Sequence, residues 1–242
     1  MRIVISSPPK MGNKWLKCLL SRVYGLQWII GDDSPDTNVD EFKQFVADGR
    51  FPDNTIFHQH SRFKKKMCDE IDAIPAHLVT IVRDPYDAFV SMYHWIQTRS
   101  EADKVKGRVR KERPRDVLVG KALDDPAILD FLATSYGENI VRADQWVRSG
   151  RAIVVRYEDL HRDTIAELTR ITKLIEPVDA ARIEAAVEAC SADNMRKMSK
   201  KMSQHVRSAT VGESRQTLGD AHLAIFREQY GDLLASLGYE VR

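Results

Sequence analysis

The chain has 242 residues, long enough to bury one substantial core, and its 43% hydrophobic and 30% charged content is that of an ordinary globular protein. Its 37 Lys and Arg residues nearly balance 35 Asp and Glu, and the net charge of +2 gives no global reason to expect nucleic acid as a partner. No apolar run approaches the length of a membrane span, and Met1-Arg2 leads straight into a strand without an apolar leader, which reads as a cytoplasmic protein with no stable membrane insertion.

The first strand, Arg2 to Ser6, ends in Pro8-Pro9-Lys10-Met11-Gly12-Asn13-Lys14-Trp15, followed by a helix-periodic stretch with Leu16, Leu19, Leu20 and Val23. This is a phosphate-binding turn. A buried strand stops, Gly12 lets the backbone approach an anion, and the first amides of the next helix face it as unpaired donors. The lysine precedes the glycine, the reverse of the Walker nucleotide loop, and Gly120-Lys121-Ala122 lacks the upstream glycine and the hydroxyl residue of that loop. A helix is expected over Gly12 to Tyr24, another over Asp40 to Asp48, and a strand over Thr55 to His58. His58 and His60 lie two apart at the end of that strand, so on extended chain both point to one face. No carboxylate or cysteine cluster accompanies them, and no metal is expected.

Further helices are expected over Phe63 to Ile71, Pro85 to Thr98, Pro126 to Ser149, Thr164 to Ile175, Asp179 to Cys190 and Leu218 to Leu237, and strands over His77 to Val82 and Ala152 to Arg156. Arg83 follows the third strand at the carboxyl edge where open α/β sheets bind ligands, and Asp84-Pro85 is helix-start chemistry. Ser91 lies two helical turns on. Arg99 to Arg115 carries eight Lys or Arg residues without period, a flexible basic loop or a lid over an anion. Cys18, Cys68 and Cys190, far apart and odd in number, suit a reducing compartment and suggest no disulfide; Cys18 and Cys190 read as buried small hydrophobes. Alternating strands and helices over residues 1–242 imply a single domain of α/β class, with a central parallel sheet flanked by helices.

Four segments in order resemble the sulfotransferases that use 3′-phosphoadenosine-5′-phosphosulfate (PAPS). Pro9-Lys10-Met11-Gly12-Asn13-Lys14-Trp15 is similar to their 5′-phosphosulfate loop, and Arg83 to His94 to their R-[DN]-P-x-D-x-x-x-S motif. Tyr157-Glu158-Asp159-Leu160 resembles a Y-E-D-L segment, and Arg207 to Arg215 the late R-K-G-x-x-G-[DE]-W-[KR] loop. The resemblance implies a P-loop NTPase-like three-layer sandwich, PAPS as co-substrate, adenosine 3′,5′-bisphosphate (PAP) as product, and no metal. It implies that Lys10 stabilises the leaving phosphate while Gly12, Asn13 and Lys14 cradle the phosphosulfate. Trp15 and Tyr157 would contact adenine, Arg83, Ser91 and Arg207 the 3′-phosphate, and Ser208 is a further cofactor-binding residue.

His60 takes the place of the family's histidine and is the expected general base, since an imidazole accepts a proton near neutral pH. His58 stands where the family usually has a lysine, so either His58 serves as a weaker cation or Lys14 takes that role. Ala209 replaces a usual glycine and Ser214 a usual tryptophan. The alternatives are a P-loop kinase-like enzyme and a catalytically silent nucleotide-binding protein on the same fold. The acceptor is expected to be a small molecule, a glycan or a natural product. Phe57, Phe63, Tyr86, Phe89, Tyr93 and Trp95 read either as an aromatic acceptor wall or as core; the oligomeric state is not readable.

Overall fold

A computed structural model describes residues 1–29, 38–98, 114–199 and 206–242. Most of the expected basic loop, residues 99–113, lies outside the described residues. The chain divides into two compact units, one formed by Met1–Arg83 and Arg142–Met195, the other by Asp84–Val141 and Arg196–Arg242.

The first unit is built on five parallel strands in the order β2-β3-β1-β4-β5. These are β1 (Arg2–Ser6), β2 (Gln27–Trp28), β3 (Thr55–Gln59), β4 (Ala76–Val82) and β5 (Ile153–Arg156). Ile3, Val4 and Ile5 are fully buried, as a central strand covered on both faces requires. Val4 pairs in register with Phe57 on one side and Leu78 on the other, so the strand ends at Ser6, Gln59 and Val82 share one edge. Helix α1 (Asn13–Tyr24) buries Leu16, Leu19, Leu20 and Val23. Helices α2 (Val39–Ala47) and α3 (Lys65–Asp72) add Phe42, Phe45, Met67, Cys68 and Ile71 to a core with Val4, Phe51, Phe57, Leu78 and Trp146. Phe51 meets Phe45 and Phe57 at centroid distances of 6.0 and 5.0 Å, an arrangement that adds to the area it buries.

In the second unit α4 (Pro85–Gln97) starts at Asp84, whose carboxylate accepts the Tyr86 N–H at 2.8 Å, with Pro85 just inside the helix. The helix expected over Pro126 to Ser149 is interrupted. It forms α5 (Pro126–Phe131), a wide π turn at Leu132–Tyr136, and α6 (Gly137–Arg148). The Tyr230 hydroxyl donates to the Leu132 carbonyl at 2.7 Å, and a Cβ on Gly137 would lie 2.6 Å from that ring, so tertiary packing sets the break. Helix α12 (Asp220–Ser236) supplies Phe226 and Tyr230 to an aromatic cluster with Tyr86, Phe89 and Tyr136.

The remaining elements are α7 (Tyr157–Arg162), α8 (Thr164–Ile175), α9 (Ala180–Ala189), α10 (Ala192–Met198) and α11 (Ser214–Thr217). The reading of the cysteines needs correction. Cys18 on α1 and Cys190 after α9 form a disulfide, with Cα atoms 6.0 Å apart. Their separation of 172 residues hid a pairing that only helix packing brings together. Cys68 alone is a buried thiol. Among the described residues no helix is long and apolar enough to cross a membrane.

Candidate active site

The turn between β1 and α1 holds two residues in left-handed backbone. Lys10 has φ 69° and Gly12 φ 102°. A non-glycine residue in this region costs about 1–3 kcal/mol, and such strain clusters at functional sites. Gly12 is required twice over, because a Cβ there would also lie 2.6 Å from the Tyr157 ring. No side chain caps α1; the Gly12 carbonyl accepts the amides of Trp15 and Leu16 at 3.0 and 3.1 Å. The helix therefore opens with its first-turn N–H groups and positive dipole end at the turn, the arrangement that binds an anion.

The Asn13 side chain turns inward. Its amide donates to the Pro8 carbonyl at 3.0 Å, and its oxygen accepts the Ser7 hydroxyl. Asn13 thus braces the turn through its side chain. Lys10, Lys14 and Trp15 are half-buried. Trp15 meets Tyr157 edge to face at 5.7 Å and His161 at 6.5 Å, so it sits at the rim and not in the core.

Tyr157 opens α7 directly after β5, a helix start the sequence reading missed. The ring is buried, and the Arg83 guanidinium stacks over it at 4.3 Å from the centroid. Arg83 is itself 7% exposed. The structure therefore brings Gly12, Trp15, Tyr157 and Arg83 together at the carboxyl edge of the sheet.

His60 is exposed just past β3, and its Nδ1 lies 2.9 Å from the Ser7 carbonyl. That carbonyl can only accept, so Nδ1 carries the proton and Nε2 is the basic nitrogen. The half-buried His58 ring stands 5.5 Å from that of His60, inclined by 68°. Trp146 fixes the loop after β3 by donating its indole N–H to the Ser61 carbonyl at 3.0 Å. Among the described residues no group of His, Cys, Asp and Glu could hold a metal.

In the second unit Ser91 lies half-buried on α4. The exposed Arg207 binds both carboxylate oxygens of Glu213 at 2.5 Å, and the Ser208 hydroxyl donates to the same carboxylate at 3.0 Å. Burial works against that carboxylate, but these hydrogen bonds outweigh it and hold the Glu213 pKa below its usual value. Ala209 takes φ 52°, a left-handed backbone position held by a non-glycine residue. Asp87 is a positioning residue that the sequence reading passed over. Buried on α4, it accepts the backbone amides of Gly212 at 2.6 Å and Ser214 at 2.9 Å. Phe57, Tyr86 and Phe89 are buried among the core residues.

The sulfotransferase domain model matches residues 1–238. A search of curated protein sequences finds no match. Among solved structures, mouse sulfotransferase SULT7A1 complexed with PAP is similar with a TM-score of 0.68 and 17% identity, over 97% of this chain and 84% of that one. Retinol dehydratase in complex with retinol and PAP is similar with a TM-score of 0.64 and 11% identity, over 100% and 82%. Its complex with androsterone and PAP gives 0.61 and 13%, over the same shares. At these identities the likeness is one of fold.

Proposed function

The chain belongs to the sulfotransferase domain family and is an enzyme of sulfuryl transfer, and from that premise we propose that PAPS is its donor and a hydroxyl or amine of a small acceptor its target. The β1–α1 turn carries this reading: a strained lysine, a left-handed glycine and an uncapped helix start together suit a phosphosulfate. The PAP present in the similar structures supports the choice of nucleotide.

The donor supplies an electrophilic sulfur and a phosphate leaving group. As the acceptor oxygen bonds to sulfur, the bond from sulfur to the bridging oxygen breaks, and the acceptor proton passes to Nε2 of His60. The hydrogen bond from His60 Nδ1 to the Ser7 carbonyl holds the tautomer that can take it. Lys10 and the first amides of α1 stabilise the negative charge growing on the phosphate. His58 or Lys14 adds the second cation. Trp15 and Tyr157 offer ring faces to the purine. Arg83 is assigned the 3′-phosphate, and Ser91, Arg207 and Ser208 hold the remaining motif positions for it. Retinol and androsterone in the retinol dehydratase complexes support a small-molecule acceptor.

The test is PAP release from PAPS with a panel of phenols and alcohols. Lys10→Ala is expected to abolish transfer, and His60→Ala to lower the rate about 10²–10⁴-fold with PAP affinity nearly unchanged. Transfer by Lys10→Ala at the wild-type rate would contradict the assignment.

A further inference from the structure

We propose that Arg242 is a positioning residue for the 3′-phosphate end of the donor site, tying the start of α4 to the loop of Arg207 and Ser208 and offsetting the Asp84 carboxylate. This rests on the reading of Arg207 and Ser208 as 3′-phosphate residues.

The chain reverses after α12 at Gly238, with φ 76°, where the Gly238 and Tyr239 amides donate to Ala235 and Leu234. The reversal brings Arg242 to the N-terminus of α4. Its guanidinium lies 3.7 Å from the centroid of the Tyr86 ring and its backbone N–H donates to the Tyr86 hydroxyl at 3.0 Å. One guanidinium nitrogen reaches both Asp84 oxygens, at 3.4 and 3.3 Å, and the Ser214 hydroxyl at 3.1 Å. The Arg242 side chain is only 10% exposed. Glu240 adds an ion pair from the same segment to Arg215 at 2.6 Å.

Two consequences follow from this geometry. Asp84 sits inside the R-D-P motif, and a carboxylate there repels an incoming phosphate dianion; the Arg242 cation opposes that repulsion in a sheltered setting, where charges are weakly screened. Ser214 closes the loop whose amides Asp87 holds, so Arg242 and Asp87 grip the same turn from the two ends of the first turn of α4. The guanidinium does both at once, its plane against the Tyr86 ring while one of its nitrogens donates to Asp84 and Ser214.

The test compares PAP with adenosine 5′-monophosphate, which lacks the 3′-phosphate, by titration calorimetry. Wild type is expected to prefer PAP. Arg242→Gln should weaken PAP about tenfold while leaving the monophosphate within about twofold, and Arg242→Lys should fall between wild type and Gln. Asp84→Asn combined with Arg242→Gln should regain part of the loss, since asparagine still caps α4 but carries no charge. Should Arg242→Gln fail to fold, Arg242→Lys against wild type gives the same comparison. Equal losses for both nucleotides, no loss for PAP, or no recovery in the double variant would overturn the proposal. A wild type that binds the two nucleotides alike would instead overturn the 3′-phosphate reading beneath it.

Discussion

Lys17 lies one turn past the β1–α1 turn and is 3% exposed. Its Nζ stands 4.3 Å from the centroid of the Trp28 ring and 3.4 Å from the Ile29 carbonyl. Burial pulls its pKa down from 10.5 to about 8. Between those values the unfolded chain holds a proton that the folded chain has lost, so stability rises with pH across the window from about 8 to 10.5. Lys17→Met is expected to raise stability at pH 7 and to flatten that rise, as read by urea unfolding at pH 7 and pH 10. An unchanged difference between the two would contradict the account. At this scale the sequence showed Gly12 as a place of close backbone approach, but not that the Tyr157 ring is among the groups approaching it. The Asn13 side chain was equally hidden, because its partners are carbonyl and hydroxyl groups of the turn itself.

Among the elements, the late loop holds its shape against its own sequence. Ala209 adopts φ 52°, left-handed backbone that favours glycine. Left-handed backbone costs an alanine about 1–2 kcal/mol, and a glycine gives back about 0.5–1 through the unfolded chain. Ala209→Gly is therefore expected to stabilise by about 0.5–1 kcal/mol, a rise of about 1–4 °C in thermal unfolding for a chain of this length. A fall in melting temperature would show the turn unstrained. Elements with strong local signals were legible: Asp84-Pro85 marks the start of α4, and the apolar runs of β1 and β4 mark central strands. Elements fixed by tertiary contact were not. The π turn depends on Tyr230 packing against Gly137, and α7 begins with no break after β5. The two residues of β2 exist only because they pair with Thr55 and Ile56.

For the molecule as a whole, alternation of strand and helix was enough to read a parallel α/β sheet, while the order β2-β3-β1-β4-β5 came from pairing that no local pattern encodes. The disulfide shows the same limit, and it removes the cysteine argument for a reducing compartment. Closing so long a segment restricts the unfolded chain, so reduction is expected to cost about 2–4 kcal/mol, measured by denaturant unfolding with and without a thiol reductant under conditions that leave the native fold intact. Identical curves would show that the bridge contributes nothing to stability. The central claim, a site for a 3′-phosphorylated adenine nucleotide, is tested most directly by thermal unfolding with PAP against ADP and adenosine 5′-monophosphate at matched concentrations. PAP at a hundred times its dissociation constant should add about 2.7 kcal/mol, a shift of several degrees that the other two nucleotides do not reproduce. No shift with PAP, or a larger one with ADP, would contradict the account.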